Sequence, residues 1–342
     1  MMQRYNDIMH FHMPPRTLLD NGEMRHVGFE LEFSGLELEK AVEMVAQMVG
    51  GNVETFNPWY HLIKNTPWGN FILVLDFQFL INSGLQEWLR DIGLESALDS
   101  EEVEAIEYFL GTFSASLVPY ELTTPALPLT EIAVIETIKN GLRDVGALGT
   151  TANPLYVFGF HINPEIPSLD AHIILAYLRA FLVLEELLQA RIKPDFSRRL
   201  SPYIDPFGND YIMKVLHPSY RPDMTAFIDD YLDANPTRNR ALDLLPLLAW
   251  IDRKRVVSAL PDEKITPRPT LHFRLPNSRI DEHAWHTYDP WNSWVLVERL
   301  ATDNDSLTAF AYSKYRLMKS PFYFFRKKQW VRRMRQWAET FE

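Results

Sequence analysis

Acidic and imidazole side chains at alternating positions are the residues of this chain best suited to chemistry. In VGFELEF, residues 27–33, Glu30 and Glu32 are two positions apart. On an extended strand both carboxylates share one face, about 7 Å apart along the backbone. They repel each other unless cations lie beside them, and carboxylate oxygens suit magnesium or manganese. The same parity puts Glu121 (residues 119–123), His161 (158–163), and His272 with Arg274 (270–275) opposite the large apolar side chains of their segments. Asp76 stands inside the apolar run FILVLDFQFL, where an ionised group is costly unless paired or metal-bound. Brought onto one sheet, these strands would display four carboxylates, two imidazoles and a guanidinium on a single surface. Histidine tilts such a set toward manganese or a mixed metal pair. Arginine beside it suits a phosphate or carboxylate group. Gly28 and Gly159 leave room for close approach of a flat ligand or a backbone. Singly, each residue also reads as an ordinary solvent-facing or hydrogen-bonded group, so the joint pattern carries the functional reading.

The elements that would position these residues follow from periodicity. Residues 24–33 alternate as a strand. Ser34 is expected to cap a helix reaching Met48 or Val49, with Gly50–Gly51 ending it. A buried strand is expected over 71–80, an acidic helix around 100–110, and a strand over 116–123. Helices are expected from Thr130 to about Lys139 and from Ser168 to Gln189, flanking a strand over 155–162. Residues 194–236 read as an excursion with short elements, followed by a helix over 240–250 and a late strand over 270–275. Loops around 52–70 and 194–236 are expected to set substrate choice. Half-polar strands without a βαβ rhythm indicate the α+β class, a mostly antiparallel sheet with helices behind it. The domain expectation is an arm over 1–23, a main domain over 24–299, and a basic helical segment over 300–342 packed on it.

Composition narrows the chemistry. The 342 residues carry a formal charge of −11, which disfavours broad nucleic-acid binding. Cysteine is absent, so disulfides, thiolate metal sites and thiol nucleophiles are excluded. No window of about twenty residues is apolar throughout, as a membrane helix requires, and the first 22 residues do not read as a signal peptide. A cytoplasmic protein is expected. Residues 313–342 carry +7 against −18 for the rest. That segment is expected to pair with the acidic body or an acidic protein partner.

The motifs, in their order, resemble the amidoligase family of carboxylate–amine ligases, which includes glutamine synthetase and glutamate–cysteine ligase. VGFELEF is similar to its glycine–x–glutamate–x–glutamate strand, YELTTPAL (120–127) to its second glutamate motif, and FGFHIN (158–163) to its glycine–x–histidine strand. TRNRALDL (237–244) and HFRLPNS (272–278) are similar to its arginine-bearing segment and last catalytic strand. The resemblance covers roughly residues 24–280. It implies a curved, glutamine synthetase-like sheet and ATP-dependent joining of a small-molecule or peptide carboxylate to an amine through an acyl phosphate. It further implies that Glu30, Glu32, Asp76, Glu121, His161 and His272 hold Mg²⁺ or Mn²⁺, and that Gly28, His161, Arg240 and Arg274 contact the nucleotide. Glu32, Arg240 and Arg274 would act in catalysis. His272 stands where the family has glutamate. A metal-dependent hydrolase or phosphotransferase, or an inactive binding relative, are the alternative readings.

Overall fold

The computed structural model describes residues 10–75, 118–153, 156–192, 205–261, 263 and 265–341. Alternation in HVGFELEF produces the central strand β1 (His26–Phe33). Val27, Phe29, Leu31 and Phe33 are fully buried on its core face. Gly35, with φ near +88°, turns the chain, and α1 (Leu38–Val49) begins after it, with Glu37 at the N-cap, rather than at Ser34. The backbone of Ser34 instead pairs with Leu148. Gly50 ends α1 in the left-handed region, as its lack of a Cβ allows.

Residues 52–66, expected as loops, form β2 (Asn52–Asn57) and β3 (Tyr60–Thr66), followed by β4 (Gly69–Leu75). β2 is exposed along its whole length, so it carries no apolar alternation by which to recognise it. β5 (Tyr120–Thr123) and β6 (Leu127–Pro128) precede α2 (Val134–Asp144). β7 (Phe160–Pro164) leads to the long α3 (Ala171–Ile192). The excursion holds α4 (Asn209–Leu216) and α5 (Met224–Ala234). After β8 (Leu242–Asp243) come α6 (Leu245–Ile251), α7 (Arg253–Ala259) and β9 (His272–Phe273). The chain continues through α8 (Tyr288–Thr302), α9 (Asn304–Met318) and α10 (Tyr323–Ala338). Asp76, the rest of the 71–80 run, the expected helix at 100–110 and residues 194–204 lie outside the described residues.

The nine strands form one antiparallel sheet ordered β2-β3-β4-β5-β1-β7-β9-β8, with β6 beside β1. The α+β class and the helix-backed antiparallel sheet are therefore present. The curved, glutamine synthetase-like form is corrected: the sheet is open, running from one edge at β2 to another at β8. Alternation within a strand fixes which face is covered but carries no information on bending across strands. Bulges are one local source of bending, and the register irregularities of the described strands lie in the β2–β4 end, at Thr55/Asn57 and Ile63/Thr66.

Helices close the apolar face. Phe29 stacks on Phe160, and Trp291 of α8 meets Phe29 edge-on. Phe181 of α3 meets Phe273 in the same way. α10 lies on α3, with Trp330 Nε1 bonded to the Val183 carbonyl, and its Trp330, Met334 and Ala338 are buried. Among the described residues, no helix is long and apolar enough to cross a membrane.

Candidate functional site

Covering one face of the sheet leaves the other to its polar residues. Antiparallel register sets Glu30 opposite His161 and Gly28 opposite Asn163 across β1 and β7. On the other side of β1, Glu32 stands opposite Glu121 of β5. β9 adds His272, whose backbone faces Asp243 of β8. The result is a cavity of about 530 Å³, walled by Glu30, Glu32, Glu121, Thr123, His161 and His272 together with Arg238, Arg268 and Arg274. The size suits a nucleotide-scale ligand.

Three of these side chains form a tight donor cluster. One ligand atom each from Glu30, His161 and His272 lies within 4.8 Å of the other two. His161 Nδ1 is 3.0 Å from Glu30 Oε2, and His272 Nε2 is 4.0 Å from the same oxygen. Glu30 Oε1 accepts from Asn163 Nδ2 at 3.0 Å and from Arg268 Nη2 at 3.3 Å. Both imidazoles are at least 95 % buried. One carboxylate and two imidazoles, held by further hydrogen bonds, are a donor set that fits a divalent cation.

Burial alone would raise the Glu30 carboxyl. The neighbouring His272, the bond from His161 and the Arg268 guanidinium outweigh it and hold the group well below the usual carboxylate range. His272 moves down: burial disfavours its charged form, and Arg274, His161 and Arg268 reinforce this against the pull of Glu30. That direction favours the neutral imidazole, the form that ligates metals.

The other two carboxylates, Glu32 and Glu121, are held separately. Glu32 Oε2 accepts from the Gly159 backbone N–H at 2.6 Å, and Glu32 Oε1 is 3.8 Å from His161 Nε2. Glu121 Oε1 accepts from Thr123 Oγ1 at 2.8 Å. Beyond them, the Nε atoms of Arg238 and Arg268 are buried without a hydrogen-bond partner among the described residues. Unsatisfied guanidinium N–H groups beside a cation cluster fit the oxygens of a phosphate.

Glu30, Glu32, Glu121, His161, His272 and Arg274 are thus brought together. Arg240 is not among the residues lining the cavity. Its guanidinium donates to Asn235 Oδ1 and to the carbonyls of Pro206 and Ala234, at the end of α5, and lies over the Phe207 ring. Gly28 sits at the Asn163 pair, where an added Cβ would meet Asn163 Cβ at an ordinary 3.7 Å.

Sequence reading missed Asn163, Arg238 and Arg268. Asn163 shares the face of His161 by parity, so its position was legible though its role was not. Arg238 lies two residues before Arg240 in TRNR, and nothing in that short run says which guanidinium turns to the cavity. Arg268 sits outside any strand and gives no periodic signal.

An open antiparallel sheet that gathers a donor cluster able to hold a divalent cation, with arginines lining the same cavity, is the arrangement of a metal-dependent enzyme. The family model described as Putative amidoligase enzyme matches residues 23–296, and the chain belongs to that family. No curated protein and no solved structure matches it.

Proposed function

We propose that the chain is an ATP-dependent carboxylate–amine ligase. The observation that carries this reading is the meeting, in one cavity, of the Glu30–His161–His272 cluster, the Glu32–Glu121 pair and three arginines. A divalent cation held by the cluster would supply charge neutralisation to nucleotide phosphates. Glu32 and Glu121, side by side across the β1–β5 register, are suited to the magnesium that accompanies ATP. Arg238, Arg268 and Arg274 are suited to the transferring phosphoryl group and the substrate carboxylate.

In the reaction, an oxygen of the substrate carboxylate attacks the γ-phosphorus and ADP leaves. The amine nitrogen then attacks the acyl carbon, forming the amide, releasing inorganic phosphate and losing one proton. No side-chain nucleophile is required, in keeping with a chain that has no cysteine. Such a composition is also compatible with a cytoplasmic setting.

The test is isotopic. With ¹⁸O-labelled carboxylates and a panel of amines, the reading predicts one labelled oxygen in the released phosphate for each amide formed. ATP consumption with unlabelled phosphate would reject it. A metal-dependent hydrolase is the second reading, because one carboxylate with two imidazoles is also the donor set of hydrolytic metal centres. Hydrolysis of an ester or amide without nucleotide would select it.

A further inference from the structure

The last two helices form a hairpin whose outer side the ligase reading does not use. Phe310 of α9 meets Trp337 and Arg333 of α10, while Arg316 and Leu317 share a cleft with Arg326 and Trp330. The helices therefore run antiparallel, joined by a short turn over 319–322. The inward face of α10 carries the buried Trp330, Met334 and Ala338. The Tyr323 hydroxyl holds its first turn to α3 through a 2.8 Å bond to Glu186. Helical spacing puts Phe324, Phe325, Lys328, Arg332 and Arg335 on the opposite face. Phe324 and Phe325 are each 77 % exposed and meet edge-on, and Phe322 beside them is 58 % exposed. Single apolar side chains on a surface need no explanation, but three together mark a surface that something covers.

Charge identifies the cover. From Ser306 to Ala338 the chain has nine lysines and arginines and no carboxylate. Lys328, Arg332 and Arg335 are exposed and form no ion pair among the described residues. A second copy offering the same face would meet like charge. An acidic peptide would answer the cations and leave the rings in water. A bilayer with anionic lipid answers both: rings enter the boundary of the acyl chains, and long basic side chains stay level with the phosphates. We propose that the outer face of α10 is an interfacial anchor for such a bilayer, with Phe322, Phe324 and Phe325 inserted and Lys328, Arg332 and Arg335 on the headgroups. The anchor lies on the helical layer rather than in the cavity, and it does not depend on amide formation.

The experiment is co-sedimentation of the full chain with vesicles of phosphatidylcholine alone and of phosphatidylcholine with about one-third phosphatidylserine. Binding to the anionic vesicles is expected, weaker binding to the neutral ones, and a decline as salt rises. Replacing both Phe324→Ser and Phe325→Ser is expected to weaken binding at least about tenfold, because two rings then no longer leave water. Replacing Lys328→Gln, Arg332→Gln and Arg335→Gln together is expected to cost at least about tenfold on anionic vesicles and to remove the preference for them. Circular dichroism checks that each variant folds; should the serine pair not fold, Phe322→Ser is expected to weaken binding in its place. Absence of vesicle binding, or binding that neither serine variant weakens, overturns the proposal. Binding to soluble polyglutamate or RNA as tight as to anionic vesicles, lost with the same substitutions, also overturns it and reassigns the face to an acidic macromolecule. Vesicle binding without isotope transfer would sustain the anchor while rejecting the ligase; isotope transfer without vesicle binding would do the reverse.

Discussion

Asp243 stands beside His272, its partner across the β8–β9 register and on the same face of the sheet. Its Oδ1 accepts from the Leu245 N–H at 2.8 Å, while Oδ2 is buried without a partner among the described residues. Burial pushes this carboxyl up to about 6. The folded value lies above the unfolded one, so the folded state holds the proton longer. Stability consequently falls as pH rises from about 4 to about 6 and then levels off. The size of that loss is about 3 kcal/mol. Asp243→Asn removes the ionisation, so for metal-free protein we expect its Tm relative to wild type to be higher at about pH 7.5 than at about pH 4. A difference in Tm that is the same at both pH values would contradict this. At this scale the sequence was informative where a face alternates and silent where contacts cross loops. Glu30, Glu32, Glu121, His161 and His272 could be placed by parity, because strand geometry alternates side chains whatever surrounds them. Arg238 and Arg268 could not, because guanidinium direction depends on which carbonyls and carboxylates lie within reach.

The elements are held in place by buried polar contacts that no local pattern announces. Arg25, at the foot of β1, donates to both carboxylate oxygens of Glu298 on α8, at 2.7 and 2.8 Å. Glu298 also accepts from Trp294 Nε1 and the Tyr177 hydroxyl. Arg25 adds bonds to the Glu165 carbonyl. This fully buried network joins the strand bearing Glu30 and Glu32 to both α3 and α8. Removing one partner strands a charge, so Glu298→Ala is expected to cost about 3–5 kcal/mol in chemical denaturation. The double replacement Arg25→Met with Glu298→Leu is expected to cost less than Glu298→Ala alone, since it strands no charge. A cost for Glu298→Ala below about 1 kcal/mol would contradict the account. The long helix α3 and the strand β1 were legible because their periods are strong. The hairpin β2–β3 was not, since all of β2 faces solvent and its turn residues read equally well as a loop.

For the whole molecule, charge and packing divide the labour. The acidic excess lies in the body and the basic excess in the last thirty residues. Lys314 is buried on α3, where it bonds to Glu186 at 2.6 Å. Other cations of that segment lie over aromatic rings, Arg333 over Phe310 and Lys327 over Tyr323. Trp330 Nε1 donates to the Val183 carbonyl, anchoring α10 to α3. The helices thus cover the apolar face and leave the polar face of the open sheet to the cavity. Composition and alternation made that two-faced plan readable, whereas the open form of the sheet depends on register and edges that alternation does not encode. The plan makes one central claim, that cations and arginines in this cavity together receive nucleotide phosphates. Calorimetric titration with ATP and Mg²⁺ tests it most directly, on wild type, on Glu32→Ala and on Arg274→Ala. We predict saturable binding that is abolished by chelator and weakened at least about tenfold by either substitution, the loss of one charge-assisted contact. Tight binding unaffected by chelator and by both substitutions would contradict the claim.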